Sequence, residues 1–269
     1  MQALRLHPGR IALWVFSIAV ALYLVLPLFI ILPVSFTSSA YLSFPPPGYS
    51  LRWYESVFAD AAWIDAMLLS LKVGVTVVCI AVPIGFLAAL GFSRYRVPVP
   101  SVARTVLLMP MVVPLVIAAV AIYGLFAKLQ LIATFWGVVL AHTILAIPFA
   151  FLLISAGFEK LDRSLDEASF TMGASYWYTM RRVTIPLLAP SIFSAAVFAF
   201  ITSWDEVVIM IFIGSTKAET LPLKMYSYMT TEIHPAIAAV SMLLVVVVAL
   251  PIVLREMLRS NADRSAGSH

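Results

Sequence analysis

Six stretches of this chain stay apolar for longer than a soluble helix needs, and no other feature constrains its folding as tightly. They run near 11–35, 66–92, 105–127, 134–157, 190–213 and 236–256. Each reaches the ~20 residues with which an α-helix crosses a bilayer core of ~30 Å. Hydrocarbon offers no water to an exposed amide, so each run must satisfy its own backbone, and a helix does this within one segment. Composition agrees: 62% of residues are hydrophobic and 11% charged, against roughly half and a quarter in soluble domains. The predicted fold is all-α, a single polytopic membrane domain over 1–269 with six transmembrane helices.

Six spans place both termini on one side. Arg5, Arg10, Arg94, Arg96, Arg104, Lys160, Arg163, Arg181, Arg182, Arg255, Arg259 and Arg264 fall on that side, and Arg52, Lys128, Lys217 and Lys224 on the other. Twelve against four puts the termini, the 93–104 loop and the 158–189 loop in the cytoplasm, with Lys72 left in a helix end from which it snorkels. The net charge of +4 is therefore a topology bias and not a phosphate-binding face, which excludes nucleic acid as a partner and implies lipid. Cys79 is the only cysteine, so there is no intrachain disulfide or cysteine metal cluster, and it reads as a small core residue. The run after Arg10 is too long for a cleaved signal peptide and is taken as the first span.

Proline is frequent inside the spans, at Pro27, Pro33, Pro83, Pro110, Pro114, Pro148 and Pro251. Each removes a backbone donor and frees a carbonyl, so kinks are expected, with the Pro110/Pro114 pair the foremost candidate. Between the first two spans, Thr37 to Ser50 carries Pro45, Pro46 and Pro47 and should be extended, while Leu51 to Phe58 fits a short interfacial helix anchored by Trp53 and Tyr54. No internal repeat supports an inverted-repeat transporter.

The 158–189 segment is far longer than a turn between two helices requires. Ser164 and Glu167 fit a capping box, which starts a helix near Leu165, and Gly173 is placed to end it. On that helix Leu165, Ala168 and Met172 share a face, with the more polar Asp166, Ser169 and Thr171 elsewhere. A second short helix from about Ser175 carries Trp177, Met180 and Arg181 until Pro186 stops it. Two readings stand on these residues alone: an adaptable surface that a partner covers, or an amphipathic segment lying on lipid headgroups through Tyr176, Trp177, Tyr178 and the Arg181/Arg182 pair.

The pattern Glu167-Ala168-Ser169, Gly173-Ala174, then Val183, Ile185 and Pro186 resembles the cytoplasmic-loop motif of permease subunits of bacterial ABC importers: Glu-Ala-Ala, glycine six residues after the glutamate, and Ile-x-Leu-Pro beyond. Ser169, Met172, Val183 and Ile185 are mild departures. Ser70 to Pro98 is similar to the second helix and the following Ala-Arg-Tyr-x-x-Pro turn of the same permeases, and Leu51 to Glu55 resembles those of the spermidine/putrescine type. The resemblance implies that 158–189 forms coupling helices seated in an ATP-binding subunit, with Glu167, Ala168, Gly173, Ala174 and Pro186 as the coupling residues. It further implies a bacterial inner-membrane location, two ATP-binding subunits, a second permease, a periplasmic solute-binding protein, and a small solute such as a polyamine as cargo.

The chain carries no engine of its own. No G-x-x-x-x-G-K-[ST] loop exists, and Gly214-Ser215-Thr216-Lys217 lacks the spacing. His7, His142, His234 and His269 make no metal-ligand pattern, and no nucleophile motif is present. The chain is read as non-catalytic and cofactor-free, with ATP and Mg held by the partner ATPase. Trp204, Asp205 and Glu206 stand inside the fifth apolar run, and a carboxylate there costs about 2.5–3.5 kcal/mol on the insertion scale. Either they attract a cationic solute along the path, with Trp204 offering a ring face, or they satisfy broken backbone or pair with Lys72 or a second permease. His142 reads as a hydrogen bond between helices. The alternative class, a self-sufficient secondary transporter or channel using Asp205, Glu206 and His142 as an ion relay, leaves the long loop without a role.

Overall fold

Backbone satisfaction in lipid leaves helices, and helices make up most of the described residues. The computed structural model describes residues 8–94, 100–162, 164–215, 218–231 and 234–266. Arg5, Arg96, Arg163 and Lys217 of the charge count, Thr216, His7, His269 and the turn over Tyr95 to Pro98 lie outside them. Among the described residues twelve α-helices follow one another: α1 (Pro8–Ser35), α2 (Arg52–Ala59), α3 (Ala61–Arg94), α4 (Pro100–Val112), α5 (Leu115–Lys128), α6 (Phe135–Lys160), α7 (Ser164–Thr171), α8 (Tyr176–Thr179), α9 (Ile185–Trp204), α10 (Val208–Ile213), α11 (Leu221–Thr231) and α12 (Ala236–Ala266). Pairing between extended segments is limited, among the described residues, to two isolated bridges, Thr37 with Tyr49 and Ser215 with Ala218.

Five helical stretches are long and apolar enough to cross a membrane, and a sixth if α4 and α5 count together. That sixth is bent by 104° between Val112 and Leu115. Pro114 explains the break: it donates no hydrogen bond and drives the residue before it out of the helical region, and its own backbone sits at φ −54°, ψ 130°. Pro27, Pro33, Pro83, Pro110, Pro148 and Pro251, by contrast, all lie inside their helices.

The fifth apolar run departs from the 190–213 expectation. Its helix is already under way at Tyr176, passes through a π-helical turn at Met180–Thr184, continues as α9 and stops at Trp204. Pro186 does not end the helix as expected from sequence. It sits in the first turn of α9 directly after the wide turn, where its missing donor matters least. Lys72 is not at a helix end, since α3 runs on to Ala61. At 1.5 Å per residue it lies about 33 Å along the axis from Arg94, one membrane thickness away.

The chain forms two compact units, Met1–Ala61 with Ser227–His269 and Ala62–Tyr226. In the first, α12 packs on α1 and α2. The 37–50 segment is not simply extended. Ser38 donates to the Gly48 carbonyl at 2.9 Å and Ser50 to the Phe36 carbonyl at 2.7 Å, so the segment doubles back and closes on itself. Trp53 and Tyr54, expected as interfacial anchors, make packing contacts within the unit: Trp53 is buried, meets His234 edge-on at 4.5 Å and donates to the Ser39 carbonyl, while the Tyr54 hydroxyl reaches Ser35 at 2.8 Å.

In the second unit α6 lies along α9 and also contacts α4 and α10. Its interior is made largely of small and branched side chains, Val77, Ala81, Ala119, Val139 and Ile209 in one cluster and Ala89, Ala150, Phe151 and Ala195 in the other. Small residues let helix axes approach where lipid supplies no hydrophobic drive for association. Cys79, read from sequence as core, is exposed on α3; a helix apolar on every side gives no period from which to tell its buried stripe.

Candidate functional site

The 161–184 segment is built from its caps inward. Asp162 accepts from the Ser164 amide at 2.9 Å and opens α7. The capping box expected between Ser164 and Glu167 is thus replaced by a cap two residues earlier, because an aspartate carboxylate two positions back reaches the same orphan amide. That amide, with the Ser164 hydroxyl, holds the Asp162 carboxyl below its ordinary range. At the other end Gly173 donates to Phe170 at 2.9 Å and Ala174 to Ser169 at 3.1 Å, the paired bonds of a Schellman stop. Gly173 has φ +84°, a conformation that costs an L-residue about 1–2 kcal/mol. Ser175 then caps α8 by accepting from Tyr178 at 3.3 Å.

α7 is amphipathic in an inverted sense. Leu165, Ala168 and Met172 share a face as expected, but it is the outward one, with Met172 88% exposed. Asp166 and Ser169 turn inward. Asp166 forms an ion pair with Arg94 at 2.5 Å and accepts from the Thr184 hydroxyl at 3.2 Å, while Ser169 and Thr179 hydroxyls meet at 2.8 Å. The exposed face of α7 and the start of α8 enclose an open groove of about 800 Å³ lined by Leu165, Ala168, Met172, Gly173, Tyr178 and Val183 among others. Glu167 and Pro186 are exposed, and Ala174 is half-buried. Trp177 also stands out at 78% exposure, but Met180 faces inward and is buried. Spacing therefore grouped Leu165, Ala168 and Met172 on one face, yet it gave no sign of the contacts among Asp162, Arg94, Asp166 and Thr184 that hold the segment. Asp166 had a readable signal, polar residues at i and i+3 opposite an apolar face; its partner, 72 positions earlier, had none.

The other group of sequence candidates is dispersed by the break after α9. Trp204 is buried and stacks on Phe200 at 5.3 Å. Asp205 caps the helix end, with its amide on the Ile201 carbonyl at 3.2 Å, and is exposed. Glu206 is buried, and its carboxylate accepts from the Ile209 amide at 2.7 Å at the start of α10. His142 on α6 is buried against Ser203 of α9 at 2.9 Å. Of the roles left open for Glu206, satisfying interrupted backbone is the one its contact performs.

Similarity to known proteins decides the family to which this geometry belongs. Residues 81–261 match the family described as binding-protein-dependent transport system inner membrane component, 181 of 269 positions. The chain belongs to that family. It is an inner-membrane permease of the ABC importer type, as the loop motif implied. Among its relatives, the spermidine/putrescine transport system permease protein PotC of Haemophilus influenzae is 28% identical over 244 residues, covering 90% of this chain and 94% of the relative. A putative 2-aminoethylphosphonate transport system permease protein, PhnV of Salmonella paratyphi A, is 31% identical over 213 residues, 78% of this chain and 80% of the relative. Among solved structures, a bacterial ABC transporter involved in the import of the acidic polysaccharide alginate matches with TM-score 0.63 at 16% identity, over 93% of this permease and 95% of that chain. The MetNI methionine ABC transporter matches with TM-score 0.59 at 20% identity, over 77% and 97%. At such identities the structures establish a shared fold.

Proposed function

We propose that this permease works with a second permease to pass a small aminated solute across the inner membrane, and that the α7–α8 groove seats one of two separate ATP-binding subunits. The observation that carries the docking is the inverted α7. It turns Asp166 and Ser169 toward the protein and Leu165 and Ala168, with Met172 and the Gly173 corner, outward. An exposed apolar groove with a flexible thioether at its lip suits an adaptable partner surface. The loop is then cytoplasmic, as are both termini, and ATP and Mg belong to the ATPase. In this reading a periplasmic solute-binding protein delivers the cargo, and the binding-protein dependence in the family's description supports it.

For the cargo, both groups of named relatives carry compounds with a primary amine, a polyamine in one case and 2-aminoethylphosphonate in the other. In this reading Asp205, the exposed carboxylate at the break, meets the ammonium group of the solute, and its exposure beside buried Trp204 and Glu206 supports that role. The relay alternative draws no support from the geometry, since Glu206 and His142 make their contacts with Ile209 and Ser203.

Copurification tests the docking. The wild-type chain should retain its ATPase through detergent purification, whereas Glu167→Arg and Gly173→Pro should lose it while remaining in the membrane at normal abundance. Retention of the ATPase by both variants would remove the groove from the interface.

A further inference from the structure

α7 is eight residues long and has no buried residue. Helices this short do not hold together in water by their own propensity, so its position depends on what ties it down. Asp166 divides its two carboxylate oxygens between two places. Oδ2 pairs with Arg94, the last residue of α3, and Oδ1 accepts from Thr184 in the π-helical turn that leads into α9. Side-chain exposures of 16% for Arg94 and 15% for Asp166 leave little water to screen the pair. The Arg94 guanidinium is further held 5.9 Å from the Phe158 ring of α6. Ser169 with Thr179 adds a second tie, again toward the helix on the C-terminal side.

These ties differ in what they add. The chain already joins α7 to α9 through α8, so Thr179 and Thr184 shorten an existing connection. α3 ends far upstream of α7 in the chain, and the Arg94–Asp166 pair gives α7 a direct hold on it. The π turn contributes through its width: an extra residue in one turn rotates the succeeding helix by about 100°, and Thr184 lies on that turn, buried against Asp166. We infer that Arg94 and Asp166 form the mechanical link that carries movement of the docked α7 into the membrane helix α3, Asp166 acting as a positioning residue and not as part of the docking face. This rests on the ATPase-docking reading above.

A link of this kind makes ATPase closure drag α3 with it, so cutting it relieves the ATPase of a load. The test is ATP hydrolysis by the assembled complex of both permeases and the ATPase in lipid nanodiscs, without solute-binding protein, alongside copurification of the ATPase. Asp166→Asn and Arg94→Gln should each raise basal hydrolysis at least threefold with the ATPase still bound in wild-type amount. Thr184→Val, which keeps the ion pair, should raise it less. Arg94→Asp should behave like the other single variants, and adding Asp166→Arg should bring hydrolysis back to within twofold of wild type. Unchanged hydrolysis in both Asp166→Asn and Arg94→Gln overturns the inference, as does a double exchange no better than Arg94→Asp. Loss of the ATPase from Asp166→Asn overturns it too, since Asp166 would then belong to the interface. A wild-type chain that binds no ATPase overturns the docking reading itself, and the link with it.

Discussion

Asp205 and Glu206 are neighbours in sequence with opposite surroundings, and their substitution should separate two kinds of loss. Glu206 accepts the Ile209 amide from a buried position, so Glu206→Ala leaves a helix-start donor without its acceptor. Removing a cap of this kind costs about 1 kcal/mol, and in a chain of this size that lowers the unfolding midpoint by roughly 2–4 °C. Glu206→Gln keeps an oxygen in place and should unfold within a degree or so of wild type by the tryptophan fluorescence of the detergent-solubilised protein. Asp205→Asn should leave the midpoint unchanged and cut uptake of labelled spermidine or putrescine at least tenfold in cells carrying the full transporter. Uptake equal to wild type in that variant would take Asp205 out of the path. The adjacent acids looked equivalent in sequence because what distinguishes them is the break at 205–207, and no proline or glycine announces it.

Elements of this chain are set by their ends more than by their middles. α7 begins on the Asp162 carboxylate and ends on the positive φ of Gly173, while its single apolar face points away from the protein. Because hydrogen bonds from the Ser164 amide and hydroxyl hold the Asp162 carboxyl below its ordinary range, the cap favours the folded helix at any pH above the value at which an unfolded aspartate ionises, about 4. As pH falls through the still lower folded value the contribution disappears. Backbone amide exchange at Ala168 to Thr171, the amides bonded within α7, should therefore show constant protection from pH 8 to 5 once corrected for intrinsic rate, and Asp162→Ala should lose protection there at pH 7. Equal protection in the variant would assign the helix start elsewhere. Gly173 was legible as a terminator because only a residue without Cβ takes that conformation cheaply. The Asp162 cap was obscured by Ser164 and Glu167, which fit a known pattern equally well. Pro186 misled for a related reason: proline ends a helix only where its missing donor was needed, and the turn before it is wide.

At the scale of the whole molecule, the presence and apolarity of the membrane segments were readable because lipid imposes them, whereas the ends of the fifth and the faces by which they pack were not. A span apolar on all sides carries no period, so Cys79 was misplaced and the lipid-like exposure of α1 from Ala12 to Phe29 had no signature. What marks the faces instead is side-chain size. Gly85 of α3 lies against α6 so closely that a Cβ there would stand 2.8 Å from the Phe151 amide nitrogen and 2.9 Å from the Ala150 carbonyl carbon. Both are backbone atoms within a helix, which cannot give way as a side-chain tip can. Gly91, nearly two turns further along α3, has nothing within 4 Å of the same position. Gly85→Ala must push α3 and α6 apart, an overpacking that costs about 1–3 kcal/mol. Gly91→Ala gains up to about 1 kcal/mol of helix propensity and loses no contact. Thermal unfolding of the two purified variants should move in opposite directions from wild type, Gly85→Ala downward by several degrees and Gly91→Ala level or upward. If Gly85→Ala were as stable as wild type, α3 and α6 would have to be packed more loosely than these distances allow.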